Sequence, residues 1–114
     1  MKDELFILRP GFGIDEGGPF YCGDAVAVEG VLSFFPELRD KIAVQYIEAP
    51  RPRAEIIEKI GADNQSAPVL ILSESTVPVD SAIAFKTFGS VRFIDQPGDI
   101  CRYLSAQYGV ARAA

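Results

Sequence analysis

The sequence predicts an α/β domain: a four-stranded mixed sheet with helices on both faces. Three observations carry this. The runs Leu5-Phe6-Ile7-Leu8 and Val69-Leu70-Ile71-Leu72 are continuously apolar, as strands buried on both sides are. A stretch with helical spacing lies between the first two strands, which makes them a parallel, right-handed βαβ unit. The third and fourth strands have no clear crossover helix between them, so that pair is expected to be antiparallel.

The first strand, Leu5 to Leu8, stops at Arg9-Pro10. Residues 10–20 are rich in glycine and proline and read as an irregular loop. From Asp24 the spacing turns helical. Ala25, Val28, Leu32 and Phe35 form one stripe, with Ala27, Val31, Phe34 and Leu38 beside it. A stripe that wide predicts a helix lying flat on a sheet, ended or distorted at Pro36. Ile42, Val44 and Tyr46 alternate with polar or small residues and predict the second strand.

Ala49-Pro50-Arg51-Pro52 then breaks the chain, and Pro52 suits the first turn of a helix. That helix carries Ile56, Ile57 and Ile60 and stops at Gly61. Pro68 to Leu72 is the third strand and Val91 to Ile94 the fourth. Asp95-Gln96-Pro97 opens the last helix, with Ile100, Leu104 and Tyr108 on its core face and Gly109 at its end. Residues 73–89 form an insertion between the third and fourth strands, too long for a bare hairpin loop. Asp80-Ser81 is placed to cap a short helix through Ile83, Ala84 and Phe88, and a strand fits nearly as well.

Composition narrows the chemistry. A chain of 114 residues is expected to be one domain, 1–114, with enough apolar content to build a core. The net charge of −5 and the lack of a basic stripe argue against a nucleic-acid partner. The opening MKDELFILRP lacks the basic start and long apolar stretch of a signal peptide. No run approaches the roughly 18 apolar residues of a membrane span. A cytoplasmic protein with no membrane partner is the expectation. Histidine is absent, which removes the commonest general base and zinc ligand. With two cysteines and no histidine, neither an ordinary zinc site nor a Cys-His or Ser-His-Asp arrangement can be assembled. No metal is expected. Thiol chemistry remains.

Three segments resemble the thioredoxin superfamily, especially its glutaredoxin and glutathione-transferase branches. Phe20-Tyr21-Cys22-Gly23-Asp24-Ala25 stands where that superfamily keeps a Cys-x-x-Cys or related motif. Gln65-Ser66-Ala67-Pro68-Val69-Leu70 is similar to the stretch where a cis-proline opens the third strand and the preceding residue pairs its backbone with a peptide or glutathione. Asp95-Gln96-Pro97-Gly98-Asp99-Ile100-Cys101-Arg102-Tyr103-Leu104 is similar to the helix that closes the N-terminal domain of glutathione transferases. Together these span nearly the whole chain and imply a thioredoxin-like fold.

More narrowly, Arg9-Pro10, Tyr21-Cys22, Glu29-Gly30 and Arg51-Pro52-Arg53 resemble a small bacterial family of single-domain thioredoxin-like proteins of unassigned function. A second cysteine is expected there three residues after the first, where this chain has Ala25. The helical second domain of a glutathione transferase has no counterpart in these residues.

In such a topology Arg9, Cys22, Arg51, Arg53, Ala67-Pro68 and Asp95-Gln96 converge at one edge of the sheet, where ligands of open α/β sheets bind. Cys22 is the catalytic candidate, because unpaired N–H groups at a helix start favour a thiolate; the plain alternative is a small half-buried residue. The resemblance implies a cis bond before Pro68, leaving the Ala67 backbone to pair with a bound peptide. The alternative is a trans proline at a strand start. Tyr21 and Gln96 complete the binding candidates. Arg51 and Arg53 suit a carboxylate such as the glycyl end of glutathione, and Asp95 its α-amino group. Their plain alternatives are solvated arginines and an N-cap aspartate. Cys101 is expected in the core. Gly11-x-Gly13-x-x-x-Gly17 has the wrong spacing for a dinucleotide loop.

The expected role is therefore monothiol chemistry at Cys22, linked to glutathione or a protein thiol. The alternative is a binding module that keeps the fold without turnover. No cofactor is required, glutathione being the candidate ligand. A homodimer is expected through residues 73–89, at the edge opposite Cys22.

Overall fold

The computed structural model, which describes residues 1–114, is organised around β1 (Glu4–Leu8). Leu5, Phe6, Ile7 and Leu8 are all buried. Successive strand residues point to opposite faces, so Leu5 and Ile7 enter one core while Phe6 and Leu8 enter another. A continuous apolar run is what such a strand requires.

β1 runs parallel to β4 (Ala43–Ile47) and antiparallel to β5 (Val69–Ile71). β7 (Val91–Ile94) lies antiparallel to β5, and β6 (Lys86–Phe88) antiparallel to β7. The order is β4-β1-β5-β7-β6. The parallel first pair and the antiparallel β5–β7 pair match the sequence expectation. The strand number does not: the sheet has five strands rather than four.

The fifth strand comes from the insertion. Asp80 accepts from the Ala82 N–H at 3.0 Å, which closes a turn two residues long instead of capping a helix. No helix forms between Ser73 and Gly89. Phe88 pairs opposite Val91 across the two-residue turn Gly89-Ser90, where Gly89 takes φ 59°. The insertion leaves the end of β5 remote from Pro68 and reaches Lys86, whose ammonium lies 3.0 Å from Asp95 just past β7. It therefore runs from one edge of the sheet to the other, rather than staying opposite Cys22.

α1 (Gly23–Phe34) and α4 (Pro97–Tyr108) cover one face, through Ala25, Val28, Leu32, Ile100, Tyr103 and Leu104. α3 (Ala54–Ile60) covers the other with Ile56 and Ile60. Helices on both faces are as expected. The second stripe of α1 departs from expectation, because Ala27 and Phe34 are exposed. Pro36 splits off a short helix, α2 (Leu38–Lys41), which buries Leu38. In α4 the buried tyrosine is Tyr103, with Tyr108 only partly covered. Residues 10–20 hold a separate hairpin, β2 (Phe12–Ile14) with β3 (Gly17–Phe20), instead of an irregular loop. No helix is long and apolar enough to cross a membrane.

The start of the chain is locked by Asp3, which is 1% exposed. Its Oδ1 accepts from the Ser73 N–H at 2.8 Å and the Thr76 hydroxyl at 2.6 Å. Its Oδ2 accepts from the phenols of Tyr103 and Tyr108, at 2.5 and 3.0 Å. Arg92 donates to the Ser73 and Thr76 carbonyls at 3.0 and 2.9 Å. Every polar group of this buried cluster thus has a partner, which a buried carboxylate needs.

Candidate functional site

α1 begins immediately after Cys22, whose extended backbone (φ −78°, ψ 118°) makes it the N-cap residue. Its carbonyl accepts the Ala25 N–H at 3.1 Å, and its side chain caps nothing. The half-buried sulfur packs against the edges of both cores. Sγ lies 4.0 Å from the Ala67 carbonyl oxygen. Ala67 precedes the buried Pro68 through a cis bond and leads directly into β5. The helix start and the strand start therefore face each other.

Arg53 braces the chain behind this pair. Its Nε donates to the Ala49 carbonyl at 2.9 Å and its Nη1 to the Gln65 carbonyl at 2.7 Å. The Gln65 side chain accepts the Arg53 N–H at 2.9 Å. Burial first, then the charge of Arg51, lower the Arg53 guanidinium from the ordinary arginine value, and Cys22 is close enough to act in the opposite sense. Arg53 is thus a strap across the 49–67 connection with its charge near the sulfur. Arg51 is exposed beside it.

The register that sets Ile94 opposite Leu70 carries Asp95 to the start of β5. Asp95 is not the N-cap of α4; Gln96 is, without a side-chain bond to the helix. The Asp95 carboxylate pairs with Lys86, and Gln96 Nε2 donates to it at 3.5 Å. Their polar groups serve each other and β6. Arg9 pairs with Glu48 at 3.3 Å and donates to the Tyr46 carbonyl. Cys101 is half-buried rather than in the core, and borders a second groove beside Val31 and Ser105; burial pushes its thiol above the ordinary value.

A groove of ≈ 590 Å³ opens from Cys22 along α1. Its helical wall is Cys22, Ala25, Val26, Glu29, Gly30 and Ser33, a single face at spacings of three and four. Ile7, Leu8 and Pro10 at the end of β1, with Tyr46 from β4, form the opposite wall, and the exposed Tyr21 stands at its mouth. At the far end the Tyr46 phenol donates to Glu29 Oε1. Arg39 donates to Glu29 Oε2 at 3.3 Å and to the Tyr46 oxygen at 3.2 Å. Burial and the bond to Glu29 raise the Tyr46 phenol. The bond to Tyr46 raises the Arg39 guanidinium against the opposing effect of its burial.

Sequence reasoning missed this cluster. Glu29 lies seven positions after Cys22, two turns along the same helical face, which was the available signal. Its partners at positions 39 and 46 come together with it only once α1 packs over β4.

The model for a family described as "Protein of unknown function (DUF3088)" matches residues 2–112. The chain belongs to that family. No curated protein and no solved structure matches it.

Proposed function

We propose that the protein is thioredoxin-like and works through Cys22 as a monothiol, forming mixed disulfides with glutathione or a protein thiol. The approach of Cys22 Sγ to the Ala67 carbonyl carries the reading. It sets a nucleophilic sulfur at a helix start against the first residue pair of a central strand, with the Arg53 cation nearby. The order β4-β1-β5-β7 supports the thioredoxin-like assignment.

In the exchange, the Cys22 thiolate attacks one sulfur of a disulfide. A new S–S bond forms, the old one breaks, and the departing thiolate takes up a proton from solvent. Ala25 offers no second sulfur, and Cys101 lies on the other groove. An external thiol must therefore release the adduct.

Incubation with oxidised glutathione, read by intact mass, tests this. A single glutathione adduct is expected, kept in Cys101→Ser, lost in Cys22→Ser and removed by reduced glutathione. An adduct confined to Cys101, or none, overturns the redox reading in favour of a binding module without turnover.

We propose further that a homodimer forms through residues 73–89. Val77 and Val79 on this segment are 79% and 69% exposed. Sedimentation of the wild type against Val77→Asp/Val79→Asp tests it, a monomer in both cases being the contrary result.

A further inference from the structure

The groove beside Cys22 differs from the glutathione cradle expected from the sequence. Its walls are mostly apolar, and its one charged lining residue is Glu29. No lysine or arginine faces into it, because Arg39 grips the Glu29 carboxylate without lining the groove. A tripeptide with two free carboxylates meets no cation there, and meets one carboxylate. Each Glu29 oxygen accepts one bond from Tyr46 or Arg39 and keeps a free lone-pair direction. The Tyr46 hydroxyl is committed as a donor to Glu29.

Length adds a second constraint. Glu29 follows Cys22 by seven residues of helix, which at 1.5 Å per residue is about 10 Å. Ala25 keeps the floor between them low, and Gly30 does so beside Glu29. Gly30 is inside the helix, where glycine carries an entropic cost, and a Cβ added there meets no atom within 4 Å. The volume of ≈ 590 Å³ is that of a small-molecule site.

We infer that the Cys22 groove selects sulfur compounds carrying an apolar chain of about 10 Å that ends in an ammonium group. This rests on the monothiol reading above. Sulfur exchanges at Cys22, the chain lies on Ile7, Leu8, Ala25 and Val26, and the ammonium meets Glu29, held by Tyr46 and Arg39.

The test uses methanethiosulfonates bearing methyl, hexyl and aminohexyl groups. The Cys22 thiolate attacks the sulfenyl sulfur, an S–S bond forms, the S–SO₂ bond breaks and methanesulfinate leaves with the electron pair. Rates are read by mass spectrometry and divided by those of N-acetylcysteine, which removes intrinsic reactivity. The hexyl reagent is expected to exceed methyl by at least about tenfold, since burial of two of its five extra methylenes already amounts to that. The aminohexyl reagent is expected to be faster still. Glu29→Gln should bring aminohexyl down to the hexyl rate, and Gly30→Leu should slow both long reagents more than methyl. Flat normalised rates across the series, with Cys22 reacting, overturn the inference and leave the monothiol reading intact. A Cys22 inert to every reagent, methyl included, overturns both.

Discussion

Asp3 and Tyr103 stand one hundred positions apart in the chain, and the phenol of one donates to the buried carboxylate of the other. This bond ties the first strand to the last helix. Through Ser73 and Thr76 the same carboxylate holds the start of the insertion. Asp3→Ala strips the partner from four donors at once. A buried donor left unpaired costs about 1–3 kcal/mol, so a loss of at least about 3 kcal/mol is expected for the set. Asp3→Asn keeps the shape and one carbonyl acceptor and should lose less. Urea unfolding checks this, as a lowered midpoint with an unchanged slope.

Alkaline pH should weaken the fold. Burial first, and then the Asp3 charge and hydrogen bond, raise the phenols of Tyr103 and Tyr108; burial and Glu29 raise Tyr46. The unfolded chain gives up these protons near about pH 10 while the folded chain keeps them. The folded state then binds more protons, so stability is complete below that pH and falls as pH rises beyond it. Phenolate absorbance from Tyr103 and Tyr108 is expected to appear together with unfolding. Their free titration in a chain still folded by circular dichroism would contradict this.

Gly61 and Phe88 form a second long-range pair. A Cβ at Gly61 would lie 2.6 Å from Phe88 Cε1, and Gly61 has φ 83°. Gly61→Ala is expected to destabilise by about 2 kcal/mol, from the clash and the positive φ together. In a Phe88→Ala background the clash is gone and only the backbone part should remain. A double-mutant cycle in urea measures the difference; additive effects would show that the ring does not press on this glycine.

The two arginines expected to act together have separate surroundings. Arg53 bonds to the carbonyls of Ala49 and Gln65 and has its charge near Cys22, whereas Arg51 is exposed. Arg53→Met should slow iodoacetamide alkylation of Cys22 severalfold, through loss of both the strap and the cation. Arg51→Met should change it little. Equal effects would mean that neither residue acts on the sulfur in particular.

Much of this architecture is legible along the chain. β1 and β5 are legible because a strand buried on both faces must be apolar at every position. The ends of α4 are legible because Pro97 suits a first turn and Gly109 takes φ 71° after the last one. The facing of Cys22 and Ala67 follows from element order, since a helix start and a strand start share one edge. The hairpin at 12–20 and strand β6 are not legible: their strands are three or four residues long and almost wholly exposed, so no apolar alternation marks them.

Local chain chemistry was enough to place the buried strands and the helices that cover them, because each depends on steric and solvation rules acting within a few residues. Which ions pair across the surface followed from packing. Lys86 meets Asp95 only because β6 adds to the sheet, and Glu29 meets Tyr46 and Arg39 only because α1 and β4 share one core. A charge finds its partner through space rather than along the backbone, so the lining of the groove emerged with the fold.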